Sequence, residues 1–379
     1  MSVENSFKKN GNKESLKNAF SKESVAPGMS WREWKSKKKE EYRKWKEEKM
    51  LKKQAKLQSK EKEEPIEEDK IEKPWYTVSI AVPGSIMDNA QTPSLKAHLV
   101  ANIARSAAIY RVNEIIVYSE SSLERFEDTD DNLKLHKKNH GCLQMVRILQ
   151  FLECPPYLRK FYFPLHKDLE HTGEIHPLQL PSHLSINDES EYREGIVLNK
   201  PVKQGKGSYI NIGLQKPAVI DKILKENVRV TVKLDKEQFS KKHFKGKAVS
   251  PTAPLKNDNI YWGYSVRLAK SFNAIFSESP YAEGYDVTVG TSDKGRNVDH
   301  VKIPKFNHLL IVFGGLKGIE ACLEDEAVEV DDPKELFDYY LNVCPIQGTK
   351  TIRTEEAILA TLATLRPRIY ELQGILNDT

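Results

Sequence analysis

The sequence predicts an α/β protein built on a parallel sheet, with a small β-barrel inserted in its middle and a basic, partly helical tail ahead of it. Three observations carry this. A strand–helix–strand pattern begins at Trp75; short β-like runs without helical period fill residues 194–250; two apolar runs near the C-terminus end in Gly314-Gly315 and Gly348. Strands alternating with helices form parallel sheets, and closely spaced short strands form barrels. The expected segments are the tail at 1–73, the first half of the α/β domain at 74–170, the barrel at 171–255 and the second half at 256–379.

Taken in order, residues 1–29 are rich in Ser, Asn and Lys and read as disordered. From Trp31 to Leu57 the residues are helix formers without Gly or Pro, and Trp31, Trp34, Tyr42, Trp45 and Leu51 are too sparse for a core face. An acidic linker, Glu61 to Lys73, follows. Tyr76–Val82 is β-rich and stops at Pro83-Gly84. Leu95, Leu99, Ile103 and Ala107 recur at helical spacing, and Glu114–Tyr118 is a second strand, which completes a βαβ unit. Cys142 to Leu152 is a helix ended by Pro155-Pro156. The barrel strands are expected near Gly195–Leu198, Tyr209–Ile212, Val219-Ile220, Val228–Val232 and Lys247–Val249. Tyr261 to Arg267 then leads into a helical run. Asp286–Val289 restarts the sheet and ends at Gly290-Thr291-Ser292, and strands near 309 and 339 follow.

Composition narrows the function. The 379 residues hold no long apolar run and start polar, so neither a spanning helix nor a secretory signal is expected. Cys142, Cys154, Cys322 and Cys344 form no CxxC pair and predict free thiols in a reducing compartment. His136, His140 and Cys142 sketch a metal site, but their neighbours read as a solvated loop and no second ligand pair appears, so no metal is expected. Between Ser30 and Lys60 stand 13 Lys/Arg against 5 Glu, while the whole chain carries only +5. The basic character therefore sits in an arm suited to polyanions, and the remainder is net negative.

Glycines directly after a buried strand let the backbone approach a small molecule and bond it through its own N–H and C=O groups. No GxGxxG follows a strand and no GxxxxGK[ST] occurs, so dinucleotide and P-loop readings lose their main support. A cofactor held mainly by main chain is expected where Leu309–Phe313 meets Gly314-Gly315 and where Leu341–Cys344 runs on to Gly348.

With those loops placed, the chain resembles the SPOUT class of RNA methyltransferases, whose C-terminal strands form a trefoil knot. Asn102-Ile103-Ala104-Arg105 looks like the class's first helix motif, Ile311 through Glu320 like the first knot loop, and Leu341 through Gly348 into Glu356-Ala357 like the second. Val82-Pro83-Gly84-Ser85, Gly263–Arg267 and Thr351–Ala357 are similar to a eukaryotic and archaeal subfamily with an inserted OB-like barrel. The likeness covers about residues 74–370. Some SPOUT families carry a Ser-x-Asn segment after the second loop; here that stretch is Thr349–Thr354, so no catalytic serine or asparagine carries over.

The resemblance implies an S-adenosylmethionine-dependent methyltransferase acting on a base, uracil N3 being one candidate, in ribosomal or other structured RNA. It also implies a homodimer working in the nucleus or nucleolus, with the cytoplasm as the other compartment. An RNA-binding or complex-scaffolding protein on the same fold is the alternative. Arg105 is the first catalytic candidate, its alternative being a surface helix arginine; Arg267 and Arg353 are in reserve, and each is equally readable as a structural ion-pair partner. The cofactor set is Thr291, Ser292, Gly314, Gly315, Glu320, Asn342, Val343, Cys344, Ile346, Gly348, Thr349 and Thr354. Glu320 reads either as a ribose ligand or as a helix cap. Tyr209 and Phe244 are either stacking platforms for RNA or barrel core.

Overall fold

A computed structural model describes residues 75–120, 137–202, 207–235, 243–320, 322 and 332–372, which belong to one compact unit. The 1–29 segment, the 30–60 stretch, the Glu61–Lys73 linker and His136, each the subject of an expectation above, lie outside the described residues.

Among the described residues the sheet has six strands: β1 (Thr77–Pro83), β2 (Glu114–Tyr118), β8 (Ser265–Ala269), β9 (Val287–Asn297), β10 (His308–Val312) and β11 (Tyr339–Asn342). They are ordered β11-β9-β10-β1-β2-β8, and every pairing is parallel. β1 and β2 are buried along their whole length, as expected of continuous apolar runs covered on both faces. Helix α1 (Pro93–Ile109) is the crossover between them, started by Thr92, whose Oγ1 accepts the Leu95 N–H at 3.2 Å, and by proline in its first turn. Helix α2 (Lys137–Glu153) packs beside α1, and α6 (Thr354–Leu372) closes the layer against α1. Leu99, Ile103, Met145, Leu149, Ile358 and Leu362 fill the core between these helices and the sheet.

The barrel closes in the order β3-β4-β5-β7-β6, from β3 (Tyr192–Val197), β4 (Tyr209–Asn211), β5 (Ala218–Val219), β6 (Arg229–Leu234) and β7 (Phe244–Val249). Val197, Ile210, Ile212, Ala218, Ile220 and Val232 make its core, against which Phe244 packs half-buried; Tyr209 meets His243 edge-on. A short helix, α3 (Pro156–Tyr162), leads into the barrel and another, α4 (Ala253–Asp258), leads out.

Three expectations need correction. Ser265–Ala269 is a strand, not the lead-in to a helical run; only the four-residue helix α5 (Ala274–Ser277) follows. β9 does not end at Gly290-Thr291-Ser292: β11 pairs with Val289-Gly290 and again with Arg296-Asn297, so residues 291–295 stand out of register between two paired stretches. The supposed solvated loop at Lys137–Gly141 is the head of α2, and Cys142 there is buried, its thiol facing the Tyr118 carbonyl at 3.7 Å and pushed up to about 12 by burial.

The junction between sheet domain and barrel is polar. His183 turns Nε2 to the Glu153 carbonyl at 2.7 Å, Nδ1 is buried without a partner among the described residues, and burial lowers its pKa to about 4. The unfolded chain, with a histidine near 6.5, binds more protons in that window, so stability is full above pH 6.5 and falls as pH drops from 6.5 towards 4. His183→Gln, which keeps a donor at the Nε2 position, is expected to remove up to about 3 kcal/mol of that acid loss. Urea midpoints at pH 7 and pH 4.5 test it, and equal acid losses in both proteins would refute it.

Candidate active site

In a parallel sheet every strand delivers its following loop to the same edge, which is where open α/β sheets place ligands. Here the loops after β1, β2, β10 and β11 and the out-of-register stretch 291–295 of β9 meet there. Gly315 is pressed against two of them, since a Cβ on it would collide with the Glu120 carboxylate and lie 2.9 Å from Ser85 Oγ. Gly314 is hemmed in by backbone instead, with Ile319 N 2.6 Å from where its Cβ would be. A turn closes behind them, as Gly318 N–H donates to the Gly315 carbonyl at 3.0 Å with φ +77° at Gly318.

Cross-links fix these loops to one another. Thr291 Oγ1 donates to the Val312 carbonyl at 3.0 Å, and Lys294 reaches Glu320 at 3.2 Å. Asn342 Nδ2 donates to the Asp293 carbonyl at 3.0 Å while its Oδ1 accepts the Cys344 N–H at 3.1 Å. Ser292 Oγ faces Asp293 at 3.2 Å and accepts the Lys294 N–H at 3.2 Å. Thr354, the first residue of α6, donates to the Gly314 carbonyl at 3.0 Å. Tyr118, at the end of β2, donates to the Phe313 carbonyl at 2.7 Å. Val343 packs on the core, whereas Ile346 is fully exposed at φ +57°. Gly348 and Thr349 are exposed, and a Cβ on Gly348 would meet nothing within 4 Å.

The three arginines part company. Arg353 precedes Thr354 at the loop edge, exposed, with no partner for its guanidinium among the described residues. Arg267 is on β8, the far edge strand, and its donors are engaged: Nε to Glu114 at 2.8 Å, the rest to the Ala274 and Ile275 carbonyls and the Tyr285 hydroxyl at 3.0 to 3.1 Å. It is an ion-pair partner, which removes it from the catalytic set. Arg105 donates to the Leu178 carbonyl at 3.2 Å. It stands 12 residues beyond Pro93 on a helix that runs back from the loop edge, so about 18 Å along the axis. The end of that helix, Tyr110, lines a small cavity with Tyr76, Val78 and Ile369 at the opposite edge of the sheet. One chain therefore does not bring Arg105 to its own loops.

Ser85 and Glu120 belong to the site but not to the residues singled out from the sequence as ligands. The available signal was topological: each lies two residues past the end of a strand, β1 or β2. Glu320, read as a ribose ligand or cap, is the ion-pair partner of Lys294. No cluster of His, Cys, Asp and Glu suited to a metal ion occurs among the described residues, and no helix there is long and apolar enough to cross a membrane.

A parallel six-stranded sheet with glycine loops at one edge and an inserted closed barrel is the architecture of a SPOUT methyltransferase domain carrying an extra barrel. The family described as "Putative RNA methyltransferase" matches residues 77–365, and the chain belongs to it. It is 47% identical over 298 residues to the human 28S rRNA (uridine-N(3))-methyltransferase, covering 78% of this chain and 79% of that protein. Against the Drosophila melanogaster protein of the same name it is 44% identical over 373 residues, 93% of this chain and 76% of the relative. The protein is an RNA methyltransferase, and it requires a methyl donor.

Proposed function

We propose that the protein methylates N3 of a uridine in large-subunit ribosomal RNA with S-adenosylmethionine as donor, at the loop edge of the sheet. The observation that carries this is the convergence of Ser85, Glu120, Gly315 and, through Gly314, Thr354 on one spot. The relatives' activity on uridine N3 supplies the target. The loops fit a donor held by main chain: Gly314-Gly315 and Asn342 to Gly348 offer backbone groups, Thr291, Ser292 and Thr349 stand alongside, and the space over Gly348 is open.

The donor supplies an electrophilic methyl group on a sulfonium. The protein's own contribution is positioning and charge. Uridine N3 must lose its proton, and the charge then spreads to the flanking carbonyl oxygens. The Arg353 guanidinium stabilises that charge electrostatically. Glu120 is the carboxylate at this edge that accepts the proton, directly or through one water. Incubation with labelled donor and a large-subunit rRNA fragment, followed by nucleoside mass spectrometry, is expected to yield N3-methyluridine. Label on a ribose oxygen or a ring carbon would overturn the assignment.

The barrel segment, taken as 171–255, selects the RNA, and the basic 30–60 arm in the separate 1–73 tail adds phosphate contacts. Action on ribosomal RNA supports a nuclear, nucleolar site of work. Leu316, Ile346, Ile352 and Leu359 are 83%, 103%, 36% and 44% exposed around the loops and the head of α6. Such a patch fits a second copy across a two-fold axis, with the strands knotted behind it. In that dimer Arg105 serves the other chain's loops. Arg105→Ala and Gly348→Val should each be inactive alone; refolded together they should recover about a quarter of wild-type activity, since half the dimers then hold one complete site. No recovery would overturn the reading that Arg105 acts across the dimer, and an active Arg105→Ala protein would remove it from catalysis.

A further inference from the structure

Helix α2 touches both functional parts of the molecule. At its head, a Cβ on Gly141 would lie 2.8 Å from the Gly84 carbonyl, and one on Gly84 would lie 2.9 Å from Cys142 N, so α2 and the loop after β1 are in backbone contact. Ser85 of that loop lies against Gly315. At the tail, Glu153 receives a two-pronged bond from Arg229 of β6, Nη1 at 2.7 Å and Nη2 at 2.9 Å. The third prong, Nε, goes to Glu194 of β3 at 2.7 Å, and Glu194 also accepts from Thr231 at 2.5 Å and from the Trp262 indole at 2.6 Å. Trp262 stands three residues before β8, so the network joins α2, two barrel strands and the chain returning to the sheet. Gly141 and Glu153 are about 18 Å apart along the helix.

The chemistry of this junction is informative. Glu194 is 2% and Glu153 9% exposed. A buried ion pair is seldom more stable than apolar packing of the same volume, because both charges lose their hydration. What a planar guanidinium bonded on three nitrogens provides is direction: the barrel can sit on α2 in only one orientation. Tyr157, whose hydroxyl donates to the Glu194 carbonyl at 2.8 Å, and Gly263, at φ +125° with its Cβ position 2.8 Å from Glu153 Oε1, tighten the same fit.

We propose that Arg229 is a positioning residue for methyl transfer. Bonded to Glu153 and Glu194, it fixes the barrel against α2 so that RNA held on the barrel presents its target base to the loops at the head of that helix. This rests on the reading that the barrel holds RNA for methylation at those loops.

The test uses the full chain. Arg229→Lys keeps the charge and loses the fork; Tyr157→Phe removes one hydroxyl and guards against a variant that fails to fold. Donor affinity by calorimetry and RNA affinity by filter binding are expected within twofold of wild type. Single-turnover methylation with both partners saturating should fall at least tenfold for Arg229→Lys and severalfold for Tyr157→Phe. Spin labels at Lys245 and Lys317 should show a broader distance distribution in Arg229→Lys. A variant that is only less stable would keep the wild-type rate per folded molecule well below its melting temperature. Unchanged single-turnover rates in both variants, beside a wild type that does methylate RNA, would overturn the positioning role. A wild type without RNA methylation would instead overturn the functional reading beneath it.

Discussion

Gly348→Val is expected to abolish binding of the methyl donor while the melting temperature stays within about 2 °C of wild type. The two halves of that expectation have separate causes. The fold is spared because a Cβ at Gly348 meets no atom within 4 Å and the residue is exposed. Binding is lost because a branched side chain occupies the space over the main chain that the donor needs, and each tenfold loss of affinity takes only about 1.4 kcal/mol of interference. Gly314→Val provides the contrast. Its Cβ would meet Ile319 N at 2.6 Å and Gly318 Cα at 2.8 Å, both backbone, so the loop itself must move and the protein should be destabilised before any question of ligand arises. Gly315→Val falls between, since it meets the ends of two side chains. Titration calorimetry beside thermal unfolding distinguishes the three, and a Gly348→Val protein of unchanged affinity would move the site elsewhere.

A second large effect is expected on stability. Arg267→Met should cost about 3–5 kcal/mol, because it leaves Glu114 charged, buried and short of its cation. Glu114 is 2% exposed and, among the described residues, retains the hydroxyls of Ser79 at 2.9 Å and Tyr285 at 2.8 Å. Edge strand β8 and helix α5 lose their tie together, since the same guanidinium holds the Ala274 and Ile275 carbonyls. At a temperature where the variant is folded, its rate per molecule should match wild type. Arg353→Ala should do the reverse, with unchanged stability and kcat lower by about 10²–10³, the range for removing one group that stabilises developing charge. Denaturant unfolding and single-turnover assays on both proteins check the pair. A slow Arg267→Met at full folding would restore that arginine to the chemistry.

Much of the architecture follows from local patterns. β1, β2 and the strand before Gly314 are short β-rich runs, the first ended by proline and the last by glycine, and α1 shows its period and its N-cap in its sequence. The barrel strands were spaced closely enough to separate them from the sheet. β8 was hidden because its central residue is an arginine, which reads as solvent-facing until Glu114, 153 residues away, is seen to neutralise it. For Arg105 the helical period gives the face but not the end of the sheet that face is near; that depends on the direction α1 takes after leaving β1. The glycine loops were legible as turns at the ends of strands. The carboxylate of Glu120 was not, because its neighbours Ser85 and Gly315 are brought beside it only by the strand order β10-β1-β2.

The same strand order governs how the chain emerges from a ribosome. β1 pairs with β10, and Thr77 bonds His308 across 231 residues. At about 5–20 residues per second, β1 waits roughly 10–50 s for that neighbour. The barrel, complete by Val249, needs nothing that comes later to close its own ring of strands. For that interval the nascent chain carries a finished barrel beside an unfinished sheet whose central strand offers one bare hydrogen-bonding edge, the kind of edge that recruits foreign strands. Slow or paused synthesis between Val249 and His308 should therefore be the most hazardous stretch of this protein's production, and the one where a chaperone matters most.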